Sequence, residues 1–184
     1  MTPGARVGWL VGLYALQFNF IVQVPGQTVA LHLDAPYFWG ASRFHFPQWL
    51  LVCMVFSGKF DDKFIDQVQV VAYLHEWEPS AERAGNFVYW TKNQRQPEIV
   101  EPTPLAGSVV DGSKTVHAAL VYRPQDLPPV MDKSRNNALT LDRESGDWVL
   151  SADGEELRRY TWDDLRISIV YRARCFESDE EKQR

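Results

Sequence analysis

Apolar and polar residues alternate along several short runs of the chain, and this pattern limits its fold more than any other feature. Residues 16–24 read LQFNFIVQV, residues 66–77 read DQVQVVAYLHEW, and residues 164–176 read DLRISIVYRARCF. Successive side chains of a β-strand point to opposite faces, so a period of two predicts half-buried strands. Eight or more such runs with little helical pattern predict an all-β fold with one or two short helices, arranged as a jelly roll.

Two turn signals and one apolar segment refine this prediction. Pro25-Gly26 and Asp111-Gly112 each stand between β-rich runs. Such pairs are typical of β-hairpins, so we expect a hairpin at each site. Pro47 and Gly58 flank the apolar segment QWLLVCMVFS. Proline suits a first helical turn and glycine ends helices, so the segment predicts a buried helix, with a buried strand as the alternative.

Length and charge suggest one domain and exclude one class of partner. A chain of 184 residues with 45% hydrophobic residues can bury one sizeable core. We therefore predict a single domain over residues 1–176, followed by an acidic tail at 177–184 that frays. A net charge of −5 argues against a protein that grips phosphate backbones, so nucleic acid is not an expected partner. The oligomeric state is left open.

The cysteines and the N-terminal run bear on the compartment. The two cysteines lie far apart without C-x-x-C spacing, which favours neither a zinc ribbon nor a disulfide framework and fits a reducing compartment. The apolar run at residues 7–24 contains Gln17, Asn19 and Gln23, so we interpret it as folded core and not as a signal or membrane segment. The expectation is a soluble, intracellular protein without a membrane partner.

A histidine and an aspartate lie two positions apart in the run QTVALHLD. His32 and Asp34 would project from the same face of a strand, where an imidazole and a carboxylate supply two ligands of a mononuclear metal site. A histidine from a distant strand would complete a facial triad. His117 is the candidate, because it lies on a β-rich run in the second half of the chain. His75 is its competitor, whereas His45 follows His32 too soon to oppose it.

These residues, with two more near the C-terminus, resemble the motifs of a known family. His32-x-Asp34, His117 and Arg166-x-Ser168 resemble the iron(II)- and 2-oxoglutarate-dependent dioxygenases of the double-stranded β-helix fold. The segment DGSKTVHAALVYRP resembles the distal-histidine strand of their prolyl-hydroxylase-like branch, and the resemblance covers about residues 16–176.

The resemblance implies a role for each of the five residues. His32, Asp34 and His117 would bind iron(II). Arg166 would pair with the distal carboxylate of 2-oxoglutarate, and Ser168 would hydrogen-bond to it. The implied reaction uses O2 to hydroxylate a substrate and releases succinate and CO2.

Physical reasoning supports the arginine assignment. Arg166 and Ser168 share one face of a strand, and a guanidinium fork matches a carboxylate in two parallel hydrogen bonds. An inward arginine in an apolar strand also needs an anion. Many family members have only a short stretch between the distal histidine and this arginine, so we expect an insertion between Gln125 and Tyr160. Without one, Arg123 or Arg172 would take the role.

One further residue and two other functions complete the expectations. Residues 85–92 read GNFVYWTK and predict a strand, on which Tyr89 is a candidate for lining the cosubstrate pocket. A non-catalytic jelly-roll binding or scaffold domain is one alternative function. A cupin-like metal enzyme that does not use 2-oxoglutarate is the other. The substrate is not indicated, because fold alone does not determine function.

Overall fold

A computed structural model describes residues 12–91 and 94–183 of the chain, with side chains from residue 17 onward. The fold is all-β and jelly-roll-like, as predicted, with short helices at its margins. Residues 7–11 of the N-terminal apolar run lie outside the described residues. The rest of that run belongs to the first strand of the larger sheet.

Two four-stranded antiparallel sheets form the body of the fold. The larger sheet contains, in spatial order, β1 (Gly12–Gln23), β13 (Arg166–Phe176), β5 (Gln67–Tyr73) and β8 (Gly107–Val110). The smaller sheet contains β2 (Val29–His32), β9 (Val116–Ala119), β6 (Phe87–Trp90) and β7 (Glu98–Val100). Side chains of both sheets line one shared cavity, so the sheets face each other across it.

Both predicted hairpins are wrong in their pairing. The strands on either side of Pro25-Gly26 are β1 and β2, which belong to different sheets. The strands on either side of Asp111-Gly112, β8 and β9, are separated in the same way. The turn residues are present, but the chain uses each turn to cross between the sheets.

The insertion predicted between Gln125 and Tyr160 is confirmed. It contains a three-stranded antiparallel sheet of β10 (Asn137–Leu141), β11 (Trp148–Ala152) and β12 (Glu155–Tyr160). Leu150 and Tyr160 pack in one buried cluster with Leu165 and Ile167 of the larger sheet and its approach. The insertion therefore packs against the start of β13, the strand whose first residue is Arg166.

The remaining elements are short. A two-stranded ladder joins β3 (Tyr37–Phe38) to β4 (Phe64–Ile65), and α1 (Gln48–Ser57) lies in the connection between them. Single 3-10 turns occupy Asp61–Lys63 and Trp162–Asp164. The acidic tail forms one helical turn, α2 (Asp179–Lys182). Within the described part of the chain, no helix combines the length and apolarity needed to cross a bilayer.

The apolar helix itself is confirmed, but its predicted burial is wrong. Gly58 ends α1 in the left-handed conformation, as expected for a glycine stop. Leu51 is the one buried residue of the helix. The reason is the position of α1 in the chain. It connects the two-residue strands β3 and β4, and only one side of the helix packs against the rest of the protein.

Candidate metal centre and adjoining cavity

The two candidate histidine ligands lie side by side in the smaller sheet. His32 on β2 is the register partner of His117 on β9, and the centroids of their rings are 4.3 Å apart. Asp34 follows His32 just beyond the strand end. One ligand atom from each of the three residues lies within 4.8 Å of the other two. The structure thus brings together all three side chains that the sequence analysis singled out.

Each imidazole contacts a backbone carbonyl two residues earlier in the chain. Nδ1 of His32 lies 2.7 Å from the carbonyl oxygen of Ala30, and Nδ1 of His117 lies 2.8 Å from that of Thr115. A neutral imidazole that donates from Nδ1 presents Nε2 as a lone-pair ligand. Nε2 of His32 is 3.7 Å from Oδ1 of Asp34. Both rings therefore have the tautomer and orientation that metal-binding histidines adopt.

Burial favours the neutral form of the second histidine. The pKa of His117 is lowered chiefly because its ring is desolvated, and the neighbouring His32 and Arg172 lower it further. The Thr115 carbonyl and the carboxylate of Asp34 act in the opposite direction. A neutral ring is the form that binds a metal ion.

The carboxylate of Asp34 is fixed from two sides. Its Oδ1 accepts a hydrogen bond from Nη2 of Arg172, and its backbone N–H donates to the carbonyl of Gly112 at 2.9 Å. A Cβ atom on Gly112 would lie 2.1 Å from Oδ2 of Asp34 and 3.0 Å from Cε1 of His117. Only glycine leaves room for this carboxylate beside the ring.

The donor set fits a divalent first-row metal ion such as iron(II). Two imidazoles and one carboxylate are the ligands of the facial triad, which leaves coordination positions open. The side chain of His32 is 35% exposed, whereas Asp34 and His117 are buried. The open positions of a bound ion would therefore face a cavity that begins at the surface and continues inward.

That cavity runs between the two sheets. It has a volume of about 90 Å³ and extends from His32 and His117 to Arg166 and Ser168. Val29, Val71, Phe87 and Val170 are among the apolar side chains that line it between these ends.

Arg166 is a buried cation at the inner end of the cavity. Its side chain is 3% exposed, and its Nη1 donates to Oε1 of Gln23 at 2.5 Å. Its guanidinium carbon lies 5.0 Å from the centre of the Tyr73 ring. Burial lowers its pKa. Among the described residues no carboxylate pairs with it, and its Nε has no hydrogen-bond partner.

The two alternative arginines are already paired with acids. Arg123 donates to Asp126 at 2.8 Å and to Asp164 at 2.5 Å. Arg172 contacts Asp34, and its Nε also donates to Gln69. An anionic ligand would compete with these carboxylates at either residue, but would meet no such competitor at Arg166 within the described part of the chain.

The other sequence candidates lie elsewhere. Nε2 of His75 donates to the carbonyl of Pro102 at 2.7 Å, and the ring stacks on Trp77 with centroids 3.7 Å apart, so His75 has a packing role. His45 is exposed and contacts Ser42. Tyr89 pairs in register with His117. The neighbouring Phe87 lines the cavity, and the cosubstrate role of Tyr89 stays a prediction.

Sequence reasoning missed the roles of three contributors to the site: the contacts of Gly112 and Arg172 with Asp34, and the contact of Gln23 with Arg166. Gly112 was identified as a turn residue only, and its contact with Asp34 depends on a crossover between sheets. Gln23 was counted among the polar residues of the N-terminal run, although its register opposite Arg166 is what gives it a role. The alternation of β13 contained a usable signal for Arg172, because residues 166, 168, 170 and 172 share one face.

Comparisons with known proteins give one match, at the level of structure. No protein-family model matches the chain, and no curated protein matches it. Among solved structures it is similar to a prolyl-4-hydroxylase from Pseudomonas putida, with a TM-score of 0.42 and 14% sequence identity. The match covers 85% of this chain and 51% of that one, so the chain spans about half the length of that protein. At this similarity the match assigns no family.

Proposed function

We propose that the protein is an iron(II)- and 2-oxoglutarate-dependent dioxygenase that hydroxylates a substrate. The overall reaction consumes 2-oxoglutarate, O2 and the substrate, and gives succinate, CO2 and the hydroxylated product. The observation that carries the proposal is the buried guanidinium of Arg166, which has no acidic partner among the described residues and lines the same cavity as His32 and His117, the two histidines that cluster with Asp34. The substrate is proposed to be a small molecule or a protein side chain.

An uncompensated buried charge is costly, so Arg166 needs explanation. Moving a charged group out of water without a partner costs several kcal/mol. Gln23 supplies one neutral acceptor to it. A carboxylate could accept two parallel hydrogen bonds from the fork and neutralise it. Ser168, buried and two residues along the same face, offers a hydroxyl to the same anion.

A dicarboxylic 2-oxo acid fits both ends of the cavity. One carboxylate would be bound by Arg166 and Ser168, and the 2-oxo acid group would be directed toward the triad. Iron(II) held by His32, Asp34 and His117 would supply the binding and reduction of O2. The protein holds the three ligands on one side, fixes the far carboxylate, and keeps water away with the apolar side chains between the ends.

The test is turnover with purified protein, iron(II), 2-oxoglutarate and a reductant under air. We expect succinate release that requires both iron(II) and 2-oxoglutarate, including a slow uncoupled rate without substrate. His32→Ala should abolish it, whereas His45→Ala, at an exposed histidine away from the triad, should not. Metal binding without any 2-oxoglutarate turnover would favour the cupin-like enzyme, and absence of metal binding would favour the scaffold domain.

A further inference from the structure

We propose that α1 and the preceding residues 43–46 dock the protein on the surface of a phospholipid bilayer. Trp49 and Phe56 are each 68% exposed, and they lie seven residues apart on the helix, with Cys53 between them on the same side. By helical geometry this side is opposite Leu51, the one residue that the helix buries. The large apolar side chains therefore point away from the protein.

The segment before the helix extends the same surface. Phe44 is 74% exposed, and Phe46 is also exposed. From Pro47 to Ser57 the chain carries no charged residue. Large apolar side chains exposed on neighbouring residues are candidates for contact with a partner or a membrane. Tryptophan and phenylalanine are residue types that enter the interfacial region of bilayers, and here they lie on the exposed side of the helix.

Charge around the patch favours lipid headgroups. Residues 35–60 contain Arg43 and Lys59 and no acidic residue, although the chain as a whole has a net charge of −5. Acidic residues resume at Asp61, on the 3-10 turn beyond the helix. Basic residues beside exposed aromatic side chains suit the negative surface potential of anionic lipids.

The size of the patch argues against a second copy of the chain as the occupant. A helix of 10 residues is about 15 Å long and about 10 Å wide, so its outer side covers roughly 150 Å². Stable protein interfaces bury roughly 800 Å² on each partner. A bilayer requires no matching surface, because each inserted aromatic side chain gains burial independently.

The patch borders the candidate metal centre. Nε2 of Gln48, the first residue of α1, donates to the carbonyl of Leu33 at 3.1 Å, one residue before Asp34. Arg43 and Phe44 line a surface cavity together with Ala35 and Arg172, next to the triad. Docking would thus place the mouth of the site at the lipid–water interface. If the proposed function holds, the substrate class is a lipid or another membrane-borne molecule, whereas the docking itself requires neither metal nor cosubstrate.

The sequence analysis expects no membrane partner because it interprets the apolar run at residues 7–24 as folded core. The contact proposed here uses a different segment, α1, and is interfacial; within the residues that the structure describes, no helix is suited to span a bilayer.

Co-sedimentation with vesicles tests the proposal. Metal-free protein is mixed with vesicles of phosphatidylcholine and with vesicles of phosphatidylcholine and phosphatidylserine. We expect binding to both and stronger binding to the anionic mixture. Trp49→Gln/Phe56→Gln should lower the partition coefficient roughly 10-fold or more. The matched control is Phe18→Gln/Phe20→Gln, which removes two aromatic side chains that are 57% and 63% exposed on β1, and it should retain wild-type binding.

A local probe gives a second readout that does not depend on a substitution in the aromatic patch. A polarity-sensitive dye on the exposed Cys53, in a Cys175→Ser background, should shift to shorter emission wavelength when vesicles are added. The same dye at position 109, in a Val109→Cys variant that also carries Cys53→Ser and Cys175→Ser, should not shift.

Three results would overturn the proposal. One is the absence of wild-type binding to either kind of vesicle. A second is equal loss of binding in both double variants. The third is a concentration-dependent dimer that Trp49→Gln/Phe56→Gln dissociates, without any dye shift on vesicles, which would identify the patch as an interface between copies. Because all these measurements use metal-free protein, they are independent of the turnover test.

Discussion

The two ends of the cavity differ in how their polar groups are satisfied. At the metal end, Asp34 is paired with Arg172, and both imidazoles contact backbone carbonyls. At the arginine end, Arg166 is also buried, and its guanidinium donates to the neutral amide of Gln23. The first end is complete as it stands, whereas the second has a net positive charge that the described residues do not balance.

This difference indicates which end is organised in advance and which depends on a ligand. The metal end keeps its side chains together through contacts within the protein, so its three candidate ligand atoms lie within 4.8 Å of one another before any ion binds. The arginine end carries a desolvation cost that an anion would relieve. Binding energy for an anionic cosubstrate should therefore come mainly from the inner end, and metal affinity from the outer end.

Removal of the acid at the metal end should have the largest effect. Asp34→Ala deletes one of three ligands and leaves the guanidinium of Arg172 without its carboxylate. Loss of a supporting partner usually costs about 10- to 100-fold in metal affinity, so loss of a ligand should exceed about 100-fold. Titration calorimetry with Mn²⁺ or Co²⁺ measures this, with His45→Ala as the control. Near wild-type affinity in Asp34→Ala would contradict the ligand assignment.

Neutralising the inner end should affect only the cosubstrate. Arg166→Gln removes charged hydrogen bonds worth about 1.5–3 kcal/mol, so the affinity for 2-oxoglutarate should fall roughly 10- to 100-fold while metal affinity is retained. Calorimetric titration with Mn²⁺ measures the metal affinity, and titration of the Mn²⁺-loaded protein with 2-oxoglutarate measures the cosubstrate affinity. Arg123→Gln is the matched control, because Arg123 already has acidic partners. Equal losses in the two variants would mean that 2-oxoglutarate binds elsewhere.

Crowding the acid should have a smaller effect at the metal end. Gly112→Ala places a methyl group against the carboxylate of Asp34, so metal affinity should fall about 10-fold, and 2-oxoglutarate binding to Arg166 should change less. Gly146→Ala is the control: it has open space but a φ of 80°, so it should cost about 1 kcal/mol of stability and no metal affinity. Unchanged affinity in Gly112→Ala would show that Asp34 can move without consequence.

The smallest expected effect is a pH dependence at the arginine end. Burial lowers the pKa of His75, and Arg166 lowers it further. Below the ordinary histidine pKa of about 6.5, the histidine binds a proton in the unfolded chain but stays neutral in the folded chain. The free energy of unfolding should therefore fall as the pH drops through that value.

Denaturant titrations at several pH values measure this slope. His75→Gln can still donate to the Pro102 carbonyl, and it should make the slope shallower. It should not abolish the slope, because the pKa of His117 is lowered too. An unchanged slope in His75→Gln would mean that this ring gains its proton in the folded state.

The sequence predicted which side chains meet at the candidate site better than it predicted the strand connections. Spacing and order singled out His32, Asp34 and His117, which the structure brings together, and their role as metal ligands stays a prediction. Pairing between strands is a long-range property, so Pro25-Gly26 was interpreted as a hairpin although it joins two sheets. The environment of Gly112 depends on the same crossover and was missed for the same reason.

The apolar helix shows a second limit of sequence reasoning. Its composition predicts burial, and a helix that is apolar on all sides is ordinarily enclosed by protein. The position of α1 between two very short strands leaves it at the margin, and a single sequence does not contain that information. The choice among the three arginines was also a three-dimensional question, because it depended on which of them already had acidic partners.

The bracing of the two imidazoles has a consequence for protein engineering. The Nδ1 atom of each ring contacts the backbone carbonyl two residues earlier in the chain, at Ala30 for His32 and at Thr115 for His117. The correct tautomer is therefore a property of a tripeptide and needs no distant scaffold. A designer who grafts these two tripeptides onto neighbouring antiparallel strands of an unrelated sheet should transfer a ready-made pair of nitrogen donors, and would then have only an acid and a small residue beside it left to place.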